Sequence, residues 1–262
     1  GYSTWDVLIP NEKVAPAGNY RLLISVADKE NDPDAKPWLD LCAYHIVDVR
    51  VYQHNPPSSG LEWAKRAGGT YYDSGYGIAS LSDNSVVVTG RYSGFATFGK
   101  GEPNEITLEA PSGWDVFVAR YAQDGKLMGA KNASGQGLEE GLAITTLSDN
   151  SFVITGRFEF STTFGNGEAN ETTLTALKGM DIFIARYKPD GKLLWAKSVK
   201  GTGYEDTPTA IATLTDDSFL ITGYFYKSIL TFGEGEANET VLETPEKSSR
   251  STFIARYDSN GN

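Results

Sequence analysis

The chain has 262 residues, and its 40% hydrophobic content is enough to bury a sizeable core. With 34 acidic against 23 basic side chains the formal net charge is −11, and no basic patch stands out, so a phosphate backbone would be repelled. We therefore expect no nucleic-acid partner. The sequence holds no apolar run of about 18 residues, so we also expect no membrane insertion.

The first 53 residues do not match the rest of the chain. We predict strands in this segment at residues 5–9, 20–26 and 39–52, which favours a small β-sandwich-like segment, either Ig-like or a partial sandwich. Val47, Val49 and Val51 share one face of the last strand, because side chains alternate along a strand. Residues 54–60 are predicted to be a linker, stiff at its prolines and flexible at its end.

An acidic loop lies between the second and third of these strands. Its acids alternate in a way that loosely resembles a calcium-binding loop, at Asp28, Glu30, Asp32 and Asp34. An EF-hand needs glycine at its sixth position, where this loop has Pro33, and no helical pattern flanks the loop. A solvated acidic loop is the default interpretation, and calcium is the one cofactor that remains as an alternative.

The side chains that most often act as nucleophile partners or soft metal ligands are confined to the first 60 residues. The single cysteine is Cys42, and the two histidines are His45 and His54. Residues 61–262 therefore contain neither a Ser-His-Asp nor a Cys-His system, and they cannot form a histidine-rich zinc site. One cysteine also excludes an intramolecular disulfide.

Residues 61–262 contain three tandem copies of a unit of about 66 residues. We place the copies at about 61–128, 129–194 and 195–262. Two markers recur in every copy: Leu81–Gly90, Leu147–Gly156 and Leu214–Gly223, and then Phe117–Tyr121, Phe183–Tyr187 and Phe253–Tyr257. Turn residues such as Asp83-Asn84 separate the β-rich runs, so we predict about four short strands in each copy and essentially no helix.

The motifs inside the copies are specific. Val-x-Val-Thr-Gly at 86–90 precedes Asp-x-Phe-Val-Ala-Arg-Tyr at 115–121, and Trp-Ala-Lys stands at 63–65 and 195–197. Over residues 61–262 these motifs resemble the bacterial β-propeller repeat family. The resemblance implies an all-β fold of three four-stranded, propeller-type blades in a secreted or cell-surface bacterial protein. Two positions depart from the pattern: Ser251 replaces the aspartate found at Asp115 and Asp181, and Gly129 replaces tryptophan.

The phase of the copies predicts an incomplete blade. The first copy opens with an unmatched strand around Trp63, and the chain ends at Asn262, before the equivalent strand of the third copy. We therefore predict that Trp63 packs against a blade containing Phe253–Tyr257, in the same or a neighbouring molecule. Three blades are too few for a ring. Dimerisation into a six-bladed ring, a fragment of a longer propeller and an open stack of blades all remain possible.

One acidic position repeats in all three copies, at Asp73, Glu139 and Asp206. The functional interpretation is a repeated cation ligand, and the alternative that we favour is a turn acceptor for backbone N–H groups. Asp115 and Asp181 have the same two interpretations. Glu139 and Glu140 are the one adjacent pair of glutamates in the repeats, but neighbours in a strand point apart, so we do not expect a shared acid–base site.

Aromatic side chains cluster at two places where they could stack on sugars. The first-copy cluster is Tyr71, Tyr72 and Tyr76, and the third-copy cluster includes Tyr224 and Tyr226. Core packing between blades is the alternative that we favour for both clusters.

The sequence therefore favours a non-enzymatic extracellular or cell-surface scaffold or adhesion module. We expect it to bind protein partners or to assemble with itself as a homo-oligomer. A glycan-binding lectin with sites between blades is the alternative. A polysaccharide-degrading enzyme is less favoured, because it would need a histidine that the repeats lack.

Overall fold

The computed structural model describes residues 18–26, 43–51, 60–245 and 250–262, and these are all-β. The chain divides into two compact units, Gly1–Glu62 and Trp63–Asn262. In the first unit, β1 (Gly18–Val26) pairs antiparallel with β2 (Ala43–Val51) along its whole length. The predicted strand at 5–9, the acidic loop at 28–34 and the linker residues before Gly60 lie outside the described residues, and the sandwich stays a prediction.

The repeats form three blades of consecutive antiparallel strands, which is a propeller-type fold. The first blade contains β3 (Ser74–Ser80), β4 (Val86–Phe98), β5 (Ile106–Tyr121) and β6 (Leu127–Gly135). The second contains β7 (Glu140–Thr146), β8 (Phe152–Phe164), β9 (Thr172–Tyr187) and β10 (Leu193–Gly201). The third contains β11 (Glu205–Thr213), β12 (Phe219–Tyr226), β13 (Ile229–Phe232), β14 (Thr240–Glu243) and β15 (Arg250–Tyr257).

Sequence copies and structural blades are out of phase by most of one strand. The copy boundaries that we placed near residues 128 and 194 fall inside β6 and β10. β6 is the last strand of the first blade, because it pairs with β5, and β10 is the last strand of the second blade, because it pairs with β9. The unmatched residues 61–69 therefore align with a fourth strand and not with a first one.

The predicted turns form as their residues require. Asn84, Asn150 and Asp217 have φ angles of 61°, 62° and 60°, a left-handed conformation that asparagine and aspartate tolerate better than most residues. In the first copy, the Asp83 carboxylate accepts hydrogen bonds from the N–H and the hydroxyl of Ser85, at 3.0 and 2.5 Å. This contact fixes the hairpin between β3 and β4, as predicted from the sequence.

The strands are longer than the short ones that we predicted. β4 and β8 have 13 residues each, and β5 and β9 have 16. A β-bulge between Tyr92 and Gly94 bends β4, and the corresponding bulge lies between Glu159 and Ser161 in β8. The far half of β8 then leaves its own blade, and Thr163 pairs with Ser134 at the end of β6. The bends share a left-handed conformation but no common turn residue, because the φ angle is 63° at Gly94 in β4 and 58° at Phe160 in β8, so the sequence pattern does not mark them.

The repeats contain three hydrophobic clusters, and two of them lie where blades pack face to face. One cluster joins the first blade to the second, and another joins the second to the third. The third cluster lies on the first blade alone. Among the described residues no helix is long and apolar enough to cross a bilayer.

Candidate functional site

Each blade has a leading face toward the preceding blade and a trailing face toward the following one. At the first junction, Val118 on the trailing face of the first blade packs in one cluster with Ile144 and Ile154 of the second. At the second junction, Ile184 packs with Ile221 of the third blade. Two faces have no such cover among the described residues: the leading face of the first blade and the trailing face of the third.

The trailing face of the third blade, which we call the trailing outer face, comprises Thr252, Ile254 and Arg256. Ile254 occupies the position of Val118 and Ile184 in the other copies. Val118 is 7% exposed and Ile184 1% exposed, whereas Ile254 is 72% exposed. The same apolar position is thus buried twice and open once.

The leading face of the first blade, which we call the leading outer face, comprises Tyr76, Ile78, Val86 and Val88. Ile78 is 67% exposed, whereas Ile144, at the same position in the second blade, is 8% exposed. Val86 and Val88 are half-buried, although their counterparts in the second blade are in the core. The trailing outer face therefore has the residues of one side of an interior junction, and the leading outer face has those of the other side.

A repeated arginine contact crosses each interior junction. Arg120 donates from Nη1 to the Pro189 carbonyl of the next blade at 2.7 Å, and Arg186 donates in the same way to the Ser259 carbonyl at 2.7 Å. Arg256 is the third copy of this arginine. It keeps the hydrogen bond to Ser218 in its own blade, at 3.0 Å, but its side chain is 57% exposed, against 17% and 12% for the other two.

A repeated glutamate at the tip of each long hairpin accepts from two fourth strands. Oε2 of Glu102 accepts from the backbone N–H of Leu127, and Oε2 of Glu168 accepts from that of Leu193, both at 2.7 Å. The other oxygen, Oε1, accepts a hydrogen bond from a lysine at the preceding fourth-strand position. This lysine is Lys65 for Glu102, at 2.8 Å, and Lys131 for Glu168. This contact was not identified by reasoning from the sequence.

In the third blade this glutamate is Glu236. Its Oε1 accepts from Lys197 at 2.6 Å, as the pattern requires. Its Oε2 is buried and has no hydrogen-bond partner. A buried carboxylate oxygen without a partner is costly, so this oxygen marks a position where a fourth strand would bind.

The repeated acids Asp73, Glu139 and Asp206 lie against the end of the preceding fourth strand. The Asp73 carboxylate accepts from the N–H of Gly69 at 2.7 Å. A Cβ built on Gly135 would lie 2.7 Å from Oε1 of Glu139, so glycine makes room for the carboxylate. The prediction of a backbone acceptor fits Asp73, and the cation interpretation stays a prediction.

Each interior junction buries two carboxylates. We did not predict from the sequence that these residues lie close together. Asp115 and Glu139 belong to the first junction, and Asp181 and Asp206 belong to the second; all four side chains are fully buried. Burial raises the pKa of Asp115, and burial together with the charge of Asp115 raises that of Glu139. Burial raises the pKa of Asp181 to about 6, and burial followed by the Asp181 charge raises that of Asp206 to about 7.

Glu139 and Glu140 lie in different surroundings: both carboxylate oxygens of Glu139 are buried without a hydrogen-bond partner, whereas those of Glu140 are paired. Glu140 forms ion pairs with Arg91 and with Arg157, whose Nε lies 2.5 Å from Oε2. Arg91 also stacks on Trp114, with its guanidinium carbon 3.5 Å from the ring centroid. This network ties the first two blades together through Glu140.

The tyrosine clusters differ in exposure. Tyr71, Tyr72 and Tyr76 are 68%, 80% and 45% exposed. Tyr224 donates to Glu205 at 3.0 Å and is covered by Arg250, while Tyr226 is covered by Lys227. In the first cluster Arg91 lies over the ring of Tyr76, at 5.7 Å from its centroid, while Tyr71 and Tyr72 remain largely exposed.

The predicted metal ligands are not gathered into a cluster in the described part of the chain, where no three Asp, Glu, His or Cys side chains converge as a metal site requires. Asp28, Glu30, Asp32 and Asp34 lie outside the described residues, so calcium binding by that loop stays a prediction.

Comparison with known proteins agrees with the fold. No family model matches the chain. Over 122 residues, 46% of its length, the chain is 25% identical to an uncharacterized WD repeat-containing protein of Acanthamoeba polyphaga mimivirus. The match spans 9% of that viral protein.

Proposed function

We propose that this chain is a non-enzymatic scaffold module that assembles with itself. The trailing outer face of one copy packs on the leading outer face of a second copy. The observation that carries the proposal is the exposure of Ile254, 72%, at a position that is 7% and 1% exposed in the other two blades. The described blades of two copies number six, which is within the range of about four to eight found in closed propellers.

The interior junctions specify the contacts of such an interface. Ile254 of one copy would pack on Ile78 and Val88 of the other, as Val118 does on the second blade. Arg256 would donate to the carbonyl of Gln123, which is the counterpart of Pro189 and Ser259. Both of these contacts follow the ones that join the blades inside the chain.

The second copy would also supply a fourth strand. Residues 61–69 align with β6 and β10, and Gly68 pairs with Thr97 in the way that Ser134 pairs with Thr163. Placed beside β15 of the partner, this segment would bring the N–H of Leu61 to Oε2 of Glu236. It would cover an open strand edge, which sheet proteins have reason to protect.

The seam would differ from the interior junctions in its buried charge. Ser251 stands where Asp115 and Asp181 stand in the other copies, so Asp73 would meet a hydroxyl there and not a second carboxylate. One buried carboxylate costs less than two, because like charges repel in a low-dielectric interior. A junction that must form between separate chains benefits from this lower cost.

An extracellular or cell-surface location, and an adhesion role for the assembled blades, rest on the resemblance to bacterial surface repeats and on the exposed loops that such blades present. Glycan binding is a second candidate, and the exposure of Tyr71 and Tyr72 favours it. A glycan array tests it: binding that is lost in Tyr72→Ala would support a lectin, and silence across sugars would leave the scaffold.

Photo-crosslinking tests the self-assembly. Benzoylphenylalanine at Ile254 should crosslink to the first blade of a second copy, at peptides containing Ile78 or Val88. The matched control is the same group at Leu177, which is 62% exposed in the middle blade and should give no such product. No crosslink from Ile254, or equal yield from both positions, would overturn the proposal.

A further inference from the structure

Each copy presents a position on its fourth strand that covers a turn of the next blade. Trp63 and Trp195 occupy this position twice. Trp63 lies over Gly125, and Trp195 lies over Gly261; a Cβ on either glycine would approach the indole to within 2.7 or 2.9 Å. Trp195 also stacks on Phe219, with ring centroids 6.4 Å apart and planes inclined by 19°. The fold thus builds a seat for an indole ring beside each of these two turns.

The same position between the first and second blades is Gly129. A cleft of about 390 Å³ lies there, and its lining includes Phe152, Pro189 and Gly191. Phe152 is the counterpart of Phe219, and each stacks on a tyrosine at 5.5 Å and 14°. The floor of the cleft therefore matches the floor beneath Trp195.

The seats differ in what they offer the indole N–H. Trp63 donates from Nε1 to the carbonyl of Gln123 at 3.0 Å. The counterpart carbonyl beside Trp195 belongs to Ser259 and accepts from Arg186, and Nε1 of Trp195 is buried without a hydrogen-bond partner. The cleft has this second arrangement, because its Pro189 carbonyl accepts from Arg120 at 2.7 Å. Stacking on the buried aromatic floor, and not a hydrogen bond, would therefore hold an indole in the cleft.

We infer that the cleft at Gly129 binds a tryptophan side chain presented by a partner protein. The chain itself shows the fit, because two of three equivalent seats hold tryptophan. Met128 at the rim is 48% exposed, so the cleft opens to solvent and a side chain can enter from outside. The site lies within one chain and does not depend on the proposed self-assembly.

N-acetyltryptophanamide is a suitable probe, because its capped backbone mimics a residue in a peptide. Titration calorimetry on the full chain should show one site per chain. At ten times the dissociation constant, the midpoint of thermal unfolding should rise by about 2–4 °C. N-acetylalaninamide should give neither signal.

Two variants define the site. Gly129→Trp should abolish binding by filling the cleft, and it should fold, because a Cβ at Gly129 meets no heavy atom within 4 Å. Trp195→Gly should open a second seat and raise the stoichiometry to two. Absence of binding to the unmodified chain, or binding that survives Gly129→Trp, would overturn the inference.

Discussion

The interior junctions and the outer faces are made of the same residues in different surroundings. Ile184 and Ile254 occupy one position in consecutive blades, yet one is 1% and the other 72% exposed. Arg186 and Arg256 keep the same bond to a serine of their own blade, but only the first also reaches a carbonyl of the next blade. The comparison shows that the outer faces have the composition of an interface and not of a solvent-exposed surface.

The largest effect should separate these two positions. Ile184→Ala should lower the free energy of unfolding by about 3 kcal/mol, because it removes a buried side chain from a packed junction. Ile254→Ala should change it by less than about 0.5 kcal/mol when the chain is dilute enough to be monomeric. Urea denaturation of both variants measures the difference. Similar losses at both positions would show that the monomer already covers Ile254.

The buried carboxylates should make stability depend on pH. The pKa of Asp206 rises from 3.8 to about 7 on folding, so the folded chain binds more protons than the unfolded chain between these values. Stability contributed by the protonated group is complete below pH 3.8 and is lost as pH rises toward 7.

Asp206→Asn tests this dependence. At pH 8 we expect the variant to be more stable than the unmodified chain by about 2 kcal/mol, with a smaller difference at pH 4. The hydroxyl of Ser228, which donates to Asp206 at 3.0 Å, can still donate to an amide oxygen. Glu109→Gln, at an exposed carboxylate, is the control and should leave the pH profile unchanged. If the melting temperatures of all three proteins changed with pH in the same way, the attribution of this pH dependence to Asp206 would be wrong.

The smallest effect concerns position 129, one of the positions at which the two interior junctions differ. Gly129→Trp should raise the free energy of unfolding by about 1 kcal/mol, because it fills the cleft over Phe152. Calorimetric melting of the variant beside Gly101→Ala, whose added Cβ meets no neighbour but requires a left-handed φ of 80°, provides the comparison. A loss of stability in Gly129→Trp would show that the cleft cannot hold an indole.

Local chemistry made much of the fold predictable from sequence. The copies repeat at about 66 residues, and turns at Asn84 and Asn150 adopt the left-handed conformation that their residue type tolerates. The strand over 86–88 forms where the apolar run predicted it. These features depend on neighbours in the chain, so the sequence of one copy contains the information.

Contacts between blades were not predictable in the same way. Asp115 and Glu139 meet only because two blades stack, and no pattern within one copy reveals that stacking. Tyr224 carries the same residue type as Tyr72, but Arg250 on the neighbouring strand β15 covers it. Exposure of Ile254 likewise follows from its place at the end of the stack, since its sequence context matches that of Ile184.

Sedimentation equilibrium of the unmodified chain tests the central claim most directly. If the outer faces bind each other, the molar mass should approach twice the 28.4 kDa of one chain as concentration rises. Ile254→Asp should hold it at one chain, while Leu177→Asp should leave the association intact. A mass of one chain at every concentration up to about 0.1 mM, well above the dissociation constant of a typical stable interface, would contradict the account.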